Sequence, residues 1–282
     1  MVRAPDRRVV ATMDLLVEGR HFRRDWSSAF DVGSKAAAQN LADVAAMGAS
    51  PTAVILGFAT PGDLPVAWAE ELVRGLASEC ARAGAVIVGG DVSSADSVML
   101  AVTALGDLAG REPVTRSGAH PGDLLAIAGQ PGRSAAGLAL LEAGLTGGAE
   151  HAGLVASHRR PQPPYDAGPE AALLGATSMI DVSDGLIADL GHVAGASGVL
   201  INIETARLPG DPEVRAAAAA LGADWLRWVL TGGEDHALAA TFPAQTRLPR
   251  RWAVIGAAEA GHGVTADSRP AAGPHGWTHF TG

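Results

Sequence analysis

Strand-like and helix-like runs alternate through the first half of this chain, and three short acidic motifs lie against strand-like runs: VGGDV (88–92), IDVSDG (180–185) and TGGED (231–235). The pairing narrows the fold. A strand end is rigid, and glycine or a tight turn beside it lets backbone and ligand approach closely. Carboxylates presented in this way suit hard cations such as Mg²⁺, which take oxygen ligands and bridge to phosphates. Any one of the motifs alone reads as a solvated turn. The three together, with two further acidic segments near the N-terminus, read as a site.

The local patterns predict strands over 8–17, 52–59, 85–90 and 97–106, with helices over 31–48 and 64–83. The first helix stops at Gly48 with Pro51 beyond it. This βαβ-αββ order implies an α+β or α/β sheet covered by helices. Residues 109–122, polar with two prolines and three glycines, mark the expected boundary between domains 1–120 and 121–282. Beyond it the expected strands are 123–128, 177–181 and 199–203, then others near 236–242, 252–256 and 263–266. Helices are expected near 133–143, over 185–196 and over 212–229, with 159–169 a proline-rich loop or linker. There is no internal repeat.

The chain has 282 residues, 48% hydrophobic and 18% charged, a globular composition long enough for sizeable cores. Its net charge of −9 argues against a nucleic-acid-binding or anionic-membrane surface, so an anionic substrate needs metals or placed arginines. Cys80 is the only cysteine, which rules out an intrachain disulfide and fits the cytoplasm. No run approaches ~18 apolar residues, and the N-terminus lacks a signal-peptide core. Lys35 is the only lysine, against twenty arginines. It reads equally as a solvated helix charge or as a group facing phosphate.

In TMDLLVEGRHF (12–22), strand alternation puts Thr12, Asp14 and Leu16 on one face and Met13 and Leu15 on the other. An aspartate inside a strand is disfavoured, so Asp14 calls for a reason such as a metal. Asn40 and Asp43, three apart, share a helix face. In IDVSDG, Asp181 ends a strand while Ser183 and Asp184 sit where a helix begins. Asp184 could be an N-cap worth ~1 kcal/mol, but a cap needs one such residue and here three cluster. The helix N-terminus would also favour phosphate. No Walker A loop, GxGxxG, GxSxG elbow or zinc spacing is present. Magnesium chemistry on phosphates remains.

Taken in order, TMDLLVEGRHF, NLADVAAMGA, VGGDV, TRSGAHPGD, IDVSDGLIADLGH, TGGEDHAL and the terminal GWTHF resemble the thiamine-monophosphate kinases, within the superfamily of aminoimidazole ribonucleotide synthetase and selenophosphate synthetase. The resemblance covers essentially the whole chain. It implies ATP-dependent phosphorylation of thiamine monophosphate to thiamine diphosphate. It further implies a two-domain synthetase-like fold, with an N-terminal domain that forms a β-barrel across a homodimer and a C-terminal α/β domain. Matched motif by motif, Asp14, Asp43, Asp91, Asp181 and Asp184 correspond to Mg²⁺ ligands, with Thr12 a further oxygen donor beside them. Gly90, Asp91, Arg116 and Ser183 would line the ATP site. His21, Glu234 and Trp277 would contact thiamine monophosphate, Trp277 by stacking. The acceptor is an already ionised phosphate oxygen, so direct transfer without a catalytic base or a phosphoenzyme is expected.

Two departures from the family pattern stand out. A Gly-Asp-Asp motif expected before the first strand is missing, an absence attributed to the choice of start methionine. Met13 replaces a threonine, and a thioether is a poor magnesium ligand. Both favour the alternative of a catalytically impaired homologue that still binds thiamine monophosphate and ATP. Selenophosphate synthesis is disfavoured, since Cys80 lies in an amphipathic helix as a packing residue.

Overall fold

The computed structural model describes residue 2 and residues 4–146, 148–270 and 276. The first half builds a four-stranded sheet from β1 (Val10–Val17), β2 (Ser50–Thr60), β3 (Val86–Ser94) and β4 (Met99–Asp107), in the order β1-β4-β2-β3. β4 runs antiparallel to both β1 and β2, whereas β2 and β3 are parallel. The β2–β3 crossover is α2 (Val66–Arg82), the connection a parallel pair requires.

The helix α1 (Ala29–Ala46) opens with a capping box, in which Ser28 Oγ accepts from the Asp31 N–H and the Asp31 carboxylate accepts from the Ser28 N–H. It is buried on nearly every side, as its run of small residues allows. It packs on the first sheet, on α2 and on strands of the second half. At the α1–α2 crossing a β-carbon on Gly33 would collide with the Leu72 carbonyl, so only glycine permits that approach.

The second half is a seven-stranded sheet. Its strands are β5 (Leu124–Ala128), β6 (Ser178–Val182), β7 (Leu200–Ile203), β8 (Ala237–Phe242), β9 (Trp252–Glu259), β10 (Gly263–Ala266) and β11 (Arg269–Pro270), ordered β11-β10-β7-β9-β5-β8-β6. Every pair is antiparallel except β7–β10. β6 and β8 are buried on both faces. Leu238, Ala240 and Phe242 join the core around α1, while Ala237 and Ala239 join the core under α6 (Leu186–Ser197). A third cluster links α3 (Arg133–Glu142), α4 (Ala149–Arg159) and α7 (Pro212–Leu221).

The two halves differ in how they treat their outer faces. The four-stranded sheet leaves an apolar face open, with Met13 and Leu15 on β1, Met99 on β4, Ile55 on β2 and Val88 on β3 all exposed. Three expectations are corrected. The helix expected over 212–229 is two helices, because Gly222 adopts a left-handed C-cap and Asp224 caps a new helix, α8 (Trp225–Thr231). The segment 159–169 is a loop only in part, since α5 (Ala167–Leu173) starts inside it. α4, weakly amphipathic, was not predicted at all.

Candidate functional site

Alternation along β1 turns Thr12 and Asp14 inward, toward α1, and leaves Met13 on the opposite face, 58% exposed. Two residues of α1 then fix this strand. Asn40 Oδ1 accepts the Asp14 backbone N–H at 3.0 Å while its Nδ2 donates to the Ala36 carbonyl at 2.9 Å. The Thr12 hydroxyl donates to Asp43 Oδ2 at 2.8 Å. Asn40 and Asp43 thus share the helix face their spacing implies, and that face is turned to the strand.

The second half brings its own carboxylates. Asp181 lies on β6 and meets His236 Nδ1 at 3.2 Å through Oδ2. After β6 the chain turns through Ser183, Asp184 and Gly185, and Asp189 on α6 secures that turn. Its Oδ2 accepts the N–H groups of Ser183, Asp184 and Gly185 at 3.0, 3.0 and 3.1 Å. The three N–H groups of the turn before α6 are therefore taken by the chain's own carboxylate. The loop before β8 closes over this turn. A β-carbon on Gly233 would strike the Ser183 carbonyl, and Glu234 donates its N–H to that carbonyl at 2.7 Å. Glu234 and His236 hold left-handed backbone angles, φ 63° and 51°, which is strain of the sort that collects at functional sites.

Between the two halves lies a cavity of about 640 Å³ lined by Thr12, Asp14, Asp43, Arg116, Asp181 and Ser183, together with His236. Its electrostatics are dominated by carboxylates crowded out of water. Burial and the charges of Asp181 and Asp14 push the Asp43 carboxyl up to about 7. Burial also raises Asp14, opposed by His236 and reinforced by Asp181. Burial pushes Asp189 up to about 7, with Asp181 adding to it. Burial would lower the His236 imidazole, yet its hydrogen bond to Asp181 and the charges of Asp181, Asp43 and Glu234 raise it. His236 stands among them, with Arg116 also on the cavity wall. Sequence reasoning missed both His236 and Asp189, although each stood inside a quoted motif.

A second cluster adjoins the first. Lys35, 3% exposed, donates from Nζ to Glu234 Oε2 at 3.0 Å and to the His21 carbonyl at 3.2 Å. It is therefore not a solvated helix charge. His158 Nδ1 stands 3.4 Å from the same Glu234 oxygen, but burial and Lys35 lower the imidazole to about 4, so it is neutral at pH 7. His21 accepts the Val17 N–H on Nδ1 at 3.0 Å.

The remaining predicted residues lie elsewhere. Gly90 and Asp91 sit on β3, the exposed edge strand, outside the cavity lining. Asp184 is in the turn beside Ser183, near enough to influence Asp14 but not lining the cavity. Trp277 falls outside the described residues. Among the described residues no three His, Cys, Asp or Glu side chains are grouped so as to hold a metal ion unaided. No helix among them is long and apolar enough to cross a membrane.

Comparison with known proteins bears on this arrangement. Residues 1–108 match the family described as AIR synthase related protein, N-terminal domain. Thiamine-monophosphate kinase of Mycobacterium tuberculosis is 50% identical over 282 residues, covering 99% of this chain and 83% of that protein. The Corynebacterium glutamicum thiamine-monophosphate kinase is 42% identical, covering 98% and 85%. Among solved structures, AaThiL complexed with AMPPCP and TMP superposes with a TM-score of 0.92 at 33% identity, covering 99% of this chain and 89% of that one.

Proposed function

The chain belongs to the thiamine-monophosphate kinase family, and from that membership we propose that it transfers the terminal phosphoryl group of ATP to thiamine monophosphate, giving thiamine diphosphate and ADP. The carrying observation is the convergence of Thr12, Asp14, Asp43 and Asp181 on one cavity between the two halves, in a chain half identical to a kinase of that name.

The donor set fits Mg²⁺. Carboxylates crowded until Asp43 is raised to about 7 are a standing demand for positive charge. Mg²⁺ needs only one or two protein carboxylates when substrate phosphates and water complete its shell, so the lack of a three-carboxylate cage is no obstacle. We assign Asp14, Asp43 and Asp181, with Thr12 and Asp184 alongside, to hold Mg²⁺ ions that would each take one or two of these carboxylates. Bound magnesium would neutralise charge on the transferring phosphoryl group. The residues supply the rest. Arg116 places a cation at the cavity wall, and Ser183 offers a hydroxyl beside it. Asp189 keeps the Ser183 turn in one conformation, and His236 orients Asp181. The acceptor oxygen is already ionised, so no base is required and transfer is direct. Gly90 and Asp91 are retained as nucleotide contacts on motif resemblance alone, as is Trp277 for the thiamine ring.

Residues 1–120 and 121–282 are taken as two domains, each with its own sheet. The open apolar face of the first sheet suits pairing with a second copy into a barrel, so a cytoplasmic homodimer is the proposed form. Met13 belongs to that face and not to the cavity, which removes the reason it gave for an impaired site. Phosphorus NMR of the chain with ATP, thiamine monophosphate and Mg²⁺ tests the reading. It predicts paired ADP and thiamine diphosphate signals, and release of orthophosphate alone would sink it.

A further inference from the structure

Lys35 ties three parts of the molecule together. It extends from α1, in the first half, to the carboxylate of Glu234 in the loop before β8, in the second half, and to the backbone carbonyl of His21 after β1. At 3% exposure it has almost no water to replace those partners. Glu234 differs, because a third of its side chain remains exposed. The pair therefore has a sealed end, the ammonium, and an open end, the carboxylate.

Lys35 also sets the charge of what it touches. Burial alone would raise the Glu234 carboxyl, but the Lys35 ammonium brings it below its ordinary value. The neighbouring His158 is held neutral, with its Nδ1 also 3.1 Å from the Ser134 hydroxyl. Glu234 is thus kept ionised and, through its strained backbone and the N–H bond to Ser183, kept in place. Thiamine monophosphate carries a cationic thiazolium ring and an aminopyrimidine donor, and a fixed, ionised carboxylate complements either.

We propose that Lys35 is a positioning residue for the thiamine end of the substrate: it acts through Glu234 and the His21 segment and touches neither substrate nor ATP. This rests on the reading above that His21 and Glu234 face thiamine monophosphate. It also explains why a buried lysine sits outside the cavity that gathers Asp14, Asp43 and Asp181.

A double-mutant cycle tests it, read by calorimetric binding of thiamine monophosphate and by KM against kcat for both substrates. E234Q should weaken thiamine monophosphate binding by roughly tenfold, and K35M should do about the same. K35M/E234Q, in which both charges are gone, should bind no more than about twofold more weakly than E234Q, with the KM for ATP within about twofold of wild type. Where K35M alone fails to fold because it strands a buried carboxylate, the comparison of E234Q with the neutral double variant still decides. A further roughly tenfold loss in the double variant, or a raised KM for ATP in K35M, would overturn the proposal by showing a direct ligand contact. Wild-type binding that E234Q leaves unchanged would overturn the role of Lys35 while leaving the substrate assignment intact. A wild-type chain that neither binds nor phosphorylates thiamine monophosphate would sink the substrate assignment and this role with it.

Discussion

Asp43 sits in an electrostatic conflict. Its carboxylate receives one hydroxyl hydrogen bond, from Thr12, and faces Asp14 and Asp181 in a space that excludes much of the water. A carboxyl whose pKa rises on folding is a cost, and its pH window follows from linkage. Below 3.8 both folded and unfolded forms are protonated and nothing is lost. Between 3.8 and about 7 the unfolded chain releases a proton that the folded chain retains, so the folded state loses ground as pH climbs. Above about 7 the cost is complete. D43N removes it, so the melting temperature of metal-free D43N should exceed that of wild type by more at pH 8 than at pH 5. Calorimetry in a chelator measures the difference. An equal or smaller gap at pH 8 would show that Asp43 ionises without conflict. Asp14 was legible in the sequence because an aspartate inside a strand lacked a simple structural reason, whereas Asp43 read as a solvated helix carboxylate until its context was added. His236 was not, because its meeting with Asp181 depends on the antiparallel register of β6 and β8.

At the scale of elements, α1 is the piece on which the site depends. It carries Lys35, Asn40 and Asp43 and is enclosed by both sheets and α2, so a change in its seating moves every one of those groups. G33A drives a methyl into the Leu72 carbonyl at the α1–α2 crossing. Overpacking of this kind costs about 1–3 kcal/mol, and urea unfolding should show a loss in that range. A neutral or stabilising result would mean that the helices separate freely. The bounds of α1 and α2 were readable to within about two residues because cap and stop signals bracket a strong apolar pattern. The failures share one cause: short second-half elements are set by packing. α4 shows little amphipathic pattern, yet it is held against α3 and α7 through Leu154 and Val155. The break at Gly222 was visible as a lone glycine but was outvoted by the alanine-rich run before it. Asp189 was hidden because an acidic residue one turn into a helix looks like an ordinary dipole partner, not the acceptor of three turn N–H groups.

For the whole molecule, the first sheet buries one face on α1 and α2 and offers the other, apolar, to solvent. Such a face marks an interaction surface when its residues are contiguous. L15E places a charge on that face, at the edge strand β1, and light scattering should then report a monomer where the unaltered chain is a dimer. A wild-type monomer would remove the barrel from the account. In the second sheet β6 and β8 are covered on both faces.

The central claim is that carboxylates from the two halves form one magnesium-dependent site for phosphoryl transfer to thiamine monophosphate. The initial rate of thiamine diphosphate formation from ATP and thiamine monophosphate, measured for wild type, D43N and D181N with and without Mg²⁺, tests it most directly. The account predicts turnover by wild type only with Mg²⁺ and a loss of about a hundredfold or more in each variant, since each removes a carboxylate assigned to hold the Mg²⁺ that neutralises the transferring group. Metal-independent turnover, or variants that keep the wild-type rate, would contradict it.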